Sequence, residues 1–224
     1  MRGAFITATG TGVGKTWLAS ALTRACVQRG TKVAAIKPIE TGVDPDPLDA
    51  LELARACNDE SLAHAEGLYR AKEPLAPYSI EKRGGPQVGS LRALAKRVRE
   101  LASDSDYAVV EGAGGVLVPL DQDHTIADLA KLLDLQTVVV ARNELGVLSY
   151  TLTAVEALRK RSVSVRAIVL NHVDRSQRQD LSRSSNADVL TDLLPRIPVL
   201  RAPRVQSPED LVDAAGQLCN ILKI

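Results

Sequence analysis

The run GAFITATGTGVGKT, from Gly3 to Thr16, decides the fold. Its first part, Gly3–Ala8, is a short apolar run of strand length. The part that follows, TGTGVGKT from Thr9 to Thr16, is rich in glycine, and from Gly14 to Arg29 the pattern is helical until Gly30 stops it. In such a strand–loop–helix unit the backbone N–H groups converge on phosphate oxygens at the helix N-terminus, where the dipole also favours anions. Lys15 is then placed to reach β- and γ-phosphates, and the Thr16 hydroxyl to ligate Mg²⁺. The loop predicts ATP with Mg²⁺. The usual spacing puts a glycine where Thr9 stands. A strand–helix turn that merely contains glycines is the alternative, and the order of strand, loop and helix weighs against it.

Outward from this unit, strand-like and helix-like segments alternate. Thr31–Lys37 reads as a strand stopped by Pro38, Asp49–Cys57 as a helix, Ser90–Leu101 as an amphipathic helix and Tyr107–Glu111 as a strand. Helices are expected at Ile126–Leu133, Val147–Lys160 and Asn186–Leu194, with strands at Thr137–Ala141 and Val165–Asn171. Asp174–Ser185 reads as an exposed loop, and Pro208–Leu222 as a closing helix capped by Ser207. Asn58–Val88 is dense in turn signals and takes no clear assignment. With no repeat and no linker, the series predicts α/β architecture: a single P-loop domain over 1–224 with a mostly parallel central sheet and helices on both faces.

Composition agrees. The chain is 45% apolar but only 3% aromatic, so its core rests on Leu, Val, Ile and Ala, as in buried parallel strands. With 28 basic and 27 acidic residues it has neither the field nor the stacking platform for a dedicated nucleic-acid role. Cys26, Cys57 and Cys219 are widely spaced, which argues against a zinc site or a disulfide framework and for small buried side chains in a reducing compartment. No apolar run approaches the ~18 residues of a membrane helix. The N-terminus leaves no room for a signal peptide. The expectation is a soluble cytoplasmic protein that does not engage a membrane.

Nucleotide-bound Mg²⁺ calls for carboxylates at the sheet edge. Glu111 ends the apolar strand at Tyr107–Val110 and runs into Gly112-Ala113-Gly114-Gly115, where little bulk would block a ligand. Asp49 by itself reads as a helix-terminal acid. Lys37, before Pro38-Ile39-Glu40-Thr41-Gly42, reads equally as a solvated strand-end lysine or as a second cation facing a transferred phosphoryl group. Asn171 follows a strand and fits either a turn or a contact to a base. His64, His124 and His172 have no metal-ligand spacing.

TGTGVGKT, KPIETG, Asp49 in LDALEL, VEGAGG with VPL, LGVLSYTLT and Asn171 occur in this order from Thr7 to about Glu209, and together they resemble the dethiobiotin synthetases. The resemblance implies ATP-dependent ring closure of 7,8-diaminopelargonic acid with CO₂ through a carbamate and a carbamic–phosphoric mixed anhydride. It implies Mg²⁺ held by Thr16, Asp49 and Glu111. Lys15, Lys37 and Thr11 would carry the chemistry. ATP would lie against Gly12–Trp17 (including Val13 and Gly14), Asp49, Glu111–Gly114, Asn171, His172, Pro203, Arg204, Val205 and Glu209. The substrate would meet Thr41 and, across a homodimer interface, its carboxylate would meet the turn Leu145-Gly146-Val147-Leu148-Ser149.

Some positions depart from that pattern. Gly12 stands where some members carry Glu, Ser149-Tyr150 replaces Asn-His, Ala76-Pro77-Tyr78 replaces Ser-Pro-His, and Leu200-Arg201-Ala202-Pro203 is a contraction of Leu-Gly-x-x-Pro. Two further readings share the fold. One is a regulatory partitioning-type ATPase, which would carry a lysine within Thr9-Gly10-Thr11. The other is a family member that has lost catalysis and serves as a sensor or scaffold.

Overall fold

A computed structural model describes residues 1–172, 180–204 and 208–224, with the backbone alone described for Pro203, Arg204, Pro208 and Glu209. Strands β1 (Gly3–Ala8), β2 (Val33–Ile36), β5 (Tyr107–Glu111), β6 (Gln136–Arg142), β7 (Val165–His172) and β8 (Val199–Arg204) form a six-stranded sheet in the order β2-β5-β1-β6-β7-β8. Every pairing in it is parallel. A separate parallel pair joins β3 (Ile39–Thr41) to β4 (Tyr69–Ala71).

Alternation along β1 divides the core. Ala4, Ile6 and Ala8 face helices α1 (Lys15–Gln28) and α8 (Val212–Leu222). Phe5 faces the other layer, built mainly from α4 (Leu91–Leu101), α5 (Ile126–Leu133), α6 (Val147–Arg159) and α7 (Asn186–Leu193). Helix α2 (Leu48–Ala56) sends Leu53 to the first layer and Ala50, Leu51 and Ala54 to the second. With both faces covered, the strands are Val-rich throughout rather than alternating with polar residues.

Local chemistry sets the element ends. Gly14 (φ 92°) lets the loop turn into α1 in a conformation that a side chain would strain. Ser90 Oγ accepts the Ala93 amide at 3.3 Å and starts α4. At α5, Asp128 Oδ2 accepts from the Thr125 amide (2.8 Å) and hydroxyl (2.7 Å), while its Oδ1 takes Arg161 Nε at 2.9 Å. Cys26 and Cys219 meet unbonded between α1 and α8 with sulfurs 3.9 Å apart; Cys57 is only half-buried, contrary to expectation, because it follows the last turn of α2.

Several sequence expectations need correction or completion. Val199–Arg204, which took no assignment from the sequence, is an edge strand, and Pro203 is tolerated there because an edge leaves one side of the ladder unpaired. The closing helix begins as a 3₁₀ turn, Pro208–Leu211, and is α-helical only from Val212. Ser207 lies outside the described residues, as does the first half of the expected Asp174–Ser185 loop; in its second half Leu181–Ser184 is a 3₁₀ turn. Asn58–Val88 holds a 3₁₀ turn (Glu60–His64), β4 and a short α3 (Pro77–Lys82). Side chain-to-backbone bonds fix it: the Arg70 guanidinium donates to the carbonyls of Lys37 and Tyr69 (2.9 Å each) and Ala63 (3.2 Å).

Asp128→Ala should cost about 1–2 kcal/mol by removing the α5 cap and its tie to Arg161. Burial raises the Asp128 pKa, but the bonds from Thr125 and Arg161 outweigh it and hold the carboxyl below its usual range. Its contribution is therefore complete above the unfolded-state pKa of about 4 and is lost as pH falls through the lower folded-state value. Urea unfolding of both forms between neutral and acidic pH should show the stability gap closing on the acid side; a gap constant with pH would contradict this.

Candidate active site

In a parallel sheet all carboxyl ends open on one edge, and here β5 lies between β2 and β1. The glycine loop follows β1, Lys37 follows β2 directly, and Glu111 is the last residue of β5. The registers Ile6↔Glu111 and Ile36↔Val110 set Glu111 beside both the loop and Lys37. Asp49 joins them from the first turn of α2.

Glu111 is fully buried. Its Oε1 accepts from Lys37 Nζ at 2.5 Å and from Thr16 Oγ1 at 3.0 Å, and its Oε2 has no partner. Lys37, also buried, donates to Asp49 Oδ2 at 2.9 Å. Burial alone would pull the Lys37 pKa down, but the two carboxylates outweigh it and the ammonium is held above its usual range. Burial pushes Glu111 up, and the Lys37 charge offsets this only in part. Burial also acts to raise Asp49, whose side chain is 45% exposed; Lys37 and the Thr16 hydroxyl more than compensate, so its pKa is lowered.

Lys15 is buried and folds back to donate to the Gly10 carbonyl at 3.1 Å. Burial first, and the Lys37 charge second, lower its pKa to about 8. Lys37 thus serves both acids, and Lys15 is left in contact with its own loop's carbonyl, where an incoming phosphate would supply the missing countercharge. The oxygen donors Thr16, Asp49 and Glu111 suit Mg²⁺, which takes one or two carboxylates alongside phosphates and water, and the buried, unpartnered Glu111 Oε2 fits that use.

These groups line a cavity of about 840 Å³. Thr11, Gly12, Gly14, Trp17, Thr41, Ala113 and Gly114 line it too, and Ile39, Pro74, Leu75 and Val118 add an apolar wall. Val13 is instead buried in the core, and Gly112 packs against Phe5 and Ile126.

The remaining sequence candidates lie elsewhere. Asn171 is fully buried; its amide donates to the Val13 carbonyl at 3.0 Å, tying β7 to the glycine loop, and its Oδ1 has no partner among the described residues. His172 follows it on β7. The turn Leu145–Ser149 opens α6 beyond the cavity, with Gly146 at φ 97° and the Leu145 amide donating to Asp180 Oδ2 at 2.8 Å. At the departures, the Tyr150 ring lies against Gly146, and Lys82 sits 4.9 Å over the Tyr78 ring. Val205 lies outside the described residues, and the side chains of Pro203, Arg204 and Glu209 are not described.

Sequence reasoning passed over several residues. Glu40 caps α2 from outside it, with its carboxylate oxygens accepting the Asp49 and Ala50 amides at 2.9 and 3.0 Å. Arg142 Nη2 donates to the Gly12 carbonyl at 3.0 Å. Asp180 holds the α6 turn. Of these only Glu40 left a signal, an acid within an otherwise apolar stretch between Lys37 and Thr41.

Fold and site place the chain in the class of P-loop α/β proteins, and a family model described as "AAA domain" matches residues 2–204. An ATP-dependent dethiobiotin synthetase of Anaeromyxobacter sp. (strain Fw109-5) is 40% identical over 207 residues, covering 92% of each chain. The enzyme of that name from Bacillus licheniformis is 34% identical, over 85% of this chain and 80% of its own. The chain belongs to the dethiobiotin synthetase family, a family of ATP-dependent ligases. Among solved structures, MinD in a MinC:MinD cell division complex of Aquifex aeolicus aligns with TM-score 0.58 at 17% identity, covering 98% of this chain and 96% of that one. Apo McdA from Cyanthece aligns with TM-score 0.57 at 15% identity, covering 100% and 97%. These two likenesses concern the fold alone.

Lys37→Leu should leave Asp49 and Glu111 without their counter-ion and cost about 3 kcal/mol in the ligand-free protein. Adding Glu111→Gln should recover part of the loss. Urea midpoints for the single and double variants decide it; a single variant as stable as the parent would show that the acids do not depend on Lys37.

Proposed function

We propose that the chain makes dethiobiotin from 7,8-diaminononanoate (7,8-diaminopelargonic acid), CO₂ and ATP, releasing ADP and phosphate. The observation that carries the reading is the meeting of Lys15, Lys37, Asp49 and Glu111 in one cavity that also has an apolar wall. Such a cavity suits an aliphatic diamine brought against a triphosphate.

One substrate amine adds to CO₂, losing a proton, and becomes a carbamate. A carbamate oxygen then attacks the γ-phosphorus and ADP leaves, forming the mixed anhydride. The second amine attacks the carbamoyl carbon, phosphate departs, and the ureido ring is closed. Carbamate and triphosphate are both anionic, so their approach is opposed unless cations lie between them. In this reading Lys15 and the loop amides hold the β- and γ-phosphates. Lys37 and Thr11 face the carbamate, Thr41 orients the substrate, and burial keeps water from the anhydride. Thr16, Asp49 and Glu111 would hold Mg²⁺, which supplies charge neutralisation at the phosphates. On the base side, Asn171 Oδ1, which has no partner among the described residues, would accept from an exocyclic amine; the resemblance adds His172, Pro203, Arg204, Val205 and Glu209 as base contacts.

The substrate carboxylate is assigned to the Leu145–Ser149 turn of a second copy. None of these residues lines the cavity of its own chain. Backbone amides at a helix start suit a carboxylate, and the Leu145 amide, which donates to Asp180 Oδ2, would have to exchange that partner for the substrate. Leu145 and Leu181 are each 81% exposed and Tyr150 61%, an apolar rim that a second copy would cover. A cytoplasmic setting fits, and no helix among the described residues is long and apolar enough to cross a membrane. The partitioning-ATPase reading lacks its lysine in Thr9-Gly10-Thr11. A loss of catalysis would not account for the charged groups converging in one cavity.

With diaminononanoate, bicarbonate, Mg²⁺ and ATP, phosphate release should depend on the diamine; equal release without it would sink the ligase reading. Lys37→Leu should abolish turnover yet still bind ATP, and retained turnover would remove Lys37 from the chemistry. The dimer is tested by mixing two inactive variants. Gly146→Val sets a side chain against the Tyr150 ring in a backbone conformation that resists it. Combined in equal amounts with Lys37→Leu, it should give mixed dimers with one complete site and roughly a quarter of parental activity. No recovery after subunit exchange would place the turn outside the site.

A further inference from the structure

The pair of residues that binds Mg²⁺ most directly in this reading comes from two unlike places. Glu111 ends a central strand and is fixed by the sheet. Asp49 sits at the start of a nine-residue helix whose own N-cap, Pro47, supplies no side-chain bond. An uncapped helix start is free to fray, and any fraying would move Asp49 away from Glu111.

Glu40 fills the gap. It lies on β3, three residues beyond Lys37, and is 6% exposed. Its two oxygens take the amides of Asp49 itself and of Ala50 at 2.9 and 3.0 Å. The Lys37 end of the same segment is pinned by Arg70, whose guanidinium donates to the Lys37 carbonyl at 2.9 Å. One short stretch, Lys37 to Glu40, therefore presents an ammonium to the Asp49 carboxylate and a carboxylate to the Asp49 amide. The residue is held at both its side chain and its backbone from the same four-residue segment.

We propose that Glu40 is a positioning residue that sets Asp49 at the distance from Glu111 needed for joint binding of the nucleotide's Mg²⁺; this rests on the reading of Asp49 as a metal ligand given above. Both Glu40 carboxylate oxygens are taken up by the Asp49 and Ala50 amides, although the residue borders the cavity. It acts through the first turn of α2.

The test is the Mg²⁺ dependence of nucleotide binding, measured by calorimetry with the non-hydrolysable β,γ-imido analogue of ATP, so that no turnover is involved. Glu40→Ala should weaken the apparent Mg²⁺ affinity about tenfold, the scale on which groups that orient metal ligands act. Glu40→Gln keeps the volume and one acceptor, and should rescue most of this, leaving a loss of about threefold. Asp128→Ala, which removes bonds to Thr125 and Arg161 and to none of the residues assigned to the metal, is the control: it should lower stability and leave Mg²⁺ affinity unchanged. A Glu40→Ala protein that is less stable but keeps parental Mg²⁺ affinity would overturn the proposal. Should that variant fail to fold, an unchanged affinity in Glu40→Gln overturns it equally. If Asp49→Asn leaves the Mg²⁺ dependence as it was, the metal reading falls and the proposal with it. A Glu40-dependent affinity in a protein that makes no dethiobiotin would sink ring closure and leave this inference standing.

Discussion

A carboxylate sealed from water at the end of a central strand is the constraint around which the site is built. Taking Glu111 out of water is costly unless partners replace its hydration. Lys37 and Thr16 share one of its oxygens and the other is left bare. That arrangement requires β2 beside β5, so that a lysine can reach across, and β1 on the other side, so that the glycine loop delivers a hydroxyl. The strand order is thus tied to the electrostatics of one side chain.

The irregular chain between β2 and α4 serves the same end. Apart from the nine-residue α2 it has no long periodic element, yet it forms a wall of the cavity through Pro74 and Leu75. Its stability comes from side chains bonded to backbone, Arg70 to three carbonyls and Glu40 to two amides. Rigid strands supply Lys37 and Glu111, and this bonded frame supplies the rest. In the ligand-free state the four charges balance, with Lys37 standing between the acids.

Much of this was legible in the sequence, for definite reasons. Buried parallel strands are continuous apolar runs, so β1, β5, β6 and β7 declared themselves, and TGTGVGKT announced the loop. Lys37 and Glu111 were visible because each ends such a run. Asp49 was not, since its neighbours describe only a helix start; its place depends on Glu40 and Lys37, contacts made by folding. β8 was missed because Pro203 reads as a breaker and only the edge position excuses it. β3 and β4 are three residues each, too short for any period to show. Asn171 illustrates the reverse: its strand-end position was plain, but its bond to the Val13 carbonyl belongs to tertiary structure.

The position of β1 has a consequence for synthesis on the ribosome. Emerging ahead of both its partners, it becomes an inner strand whose two neighbours, β5 and β6, are separated from it by most of the first half of the chain. Until Arg142 has been translated, a strand destined to be fully buried lacks one or both partners, and the phosphate loop has no framework to hold its shape. The nascent N-terminal half is therefore an exposed, sticky edge. A strand made ahead of its partners is thus among the last parts to become functional, and its safe passage depends on how fast translation proceeds and on what shields the waiting strand.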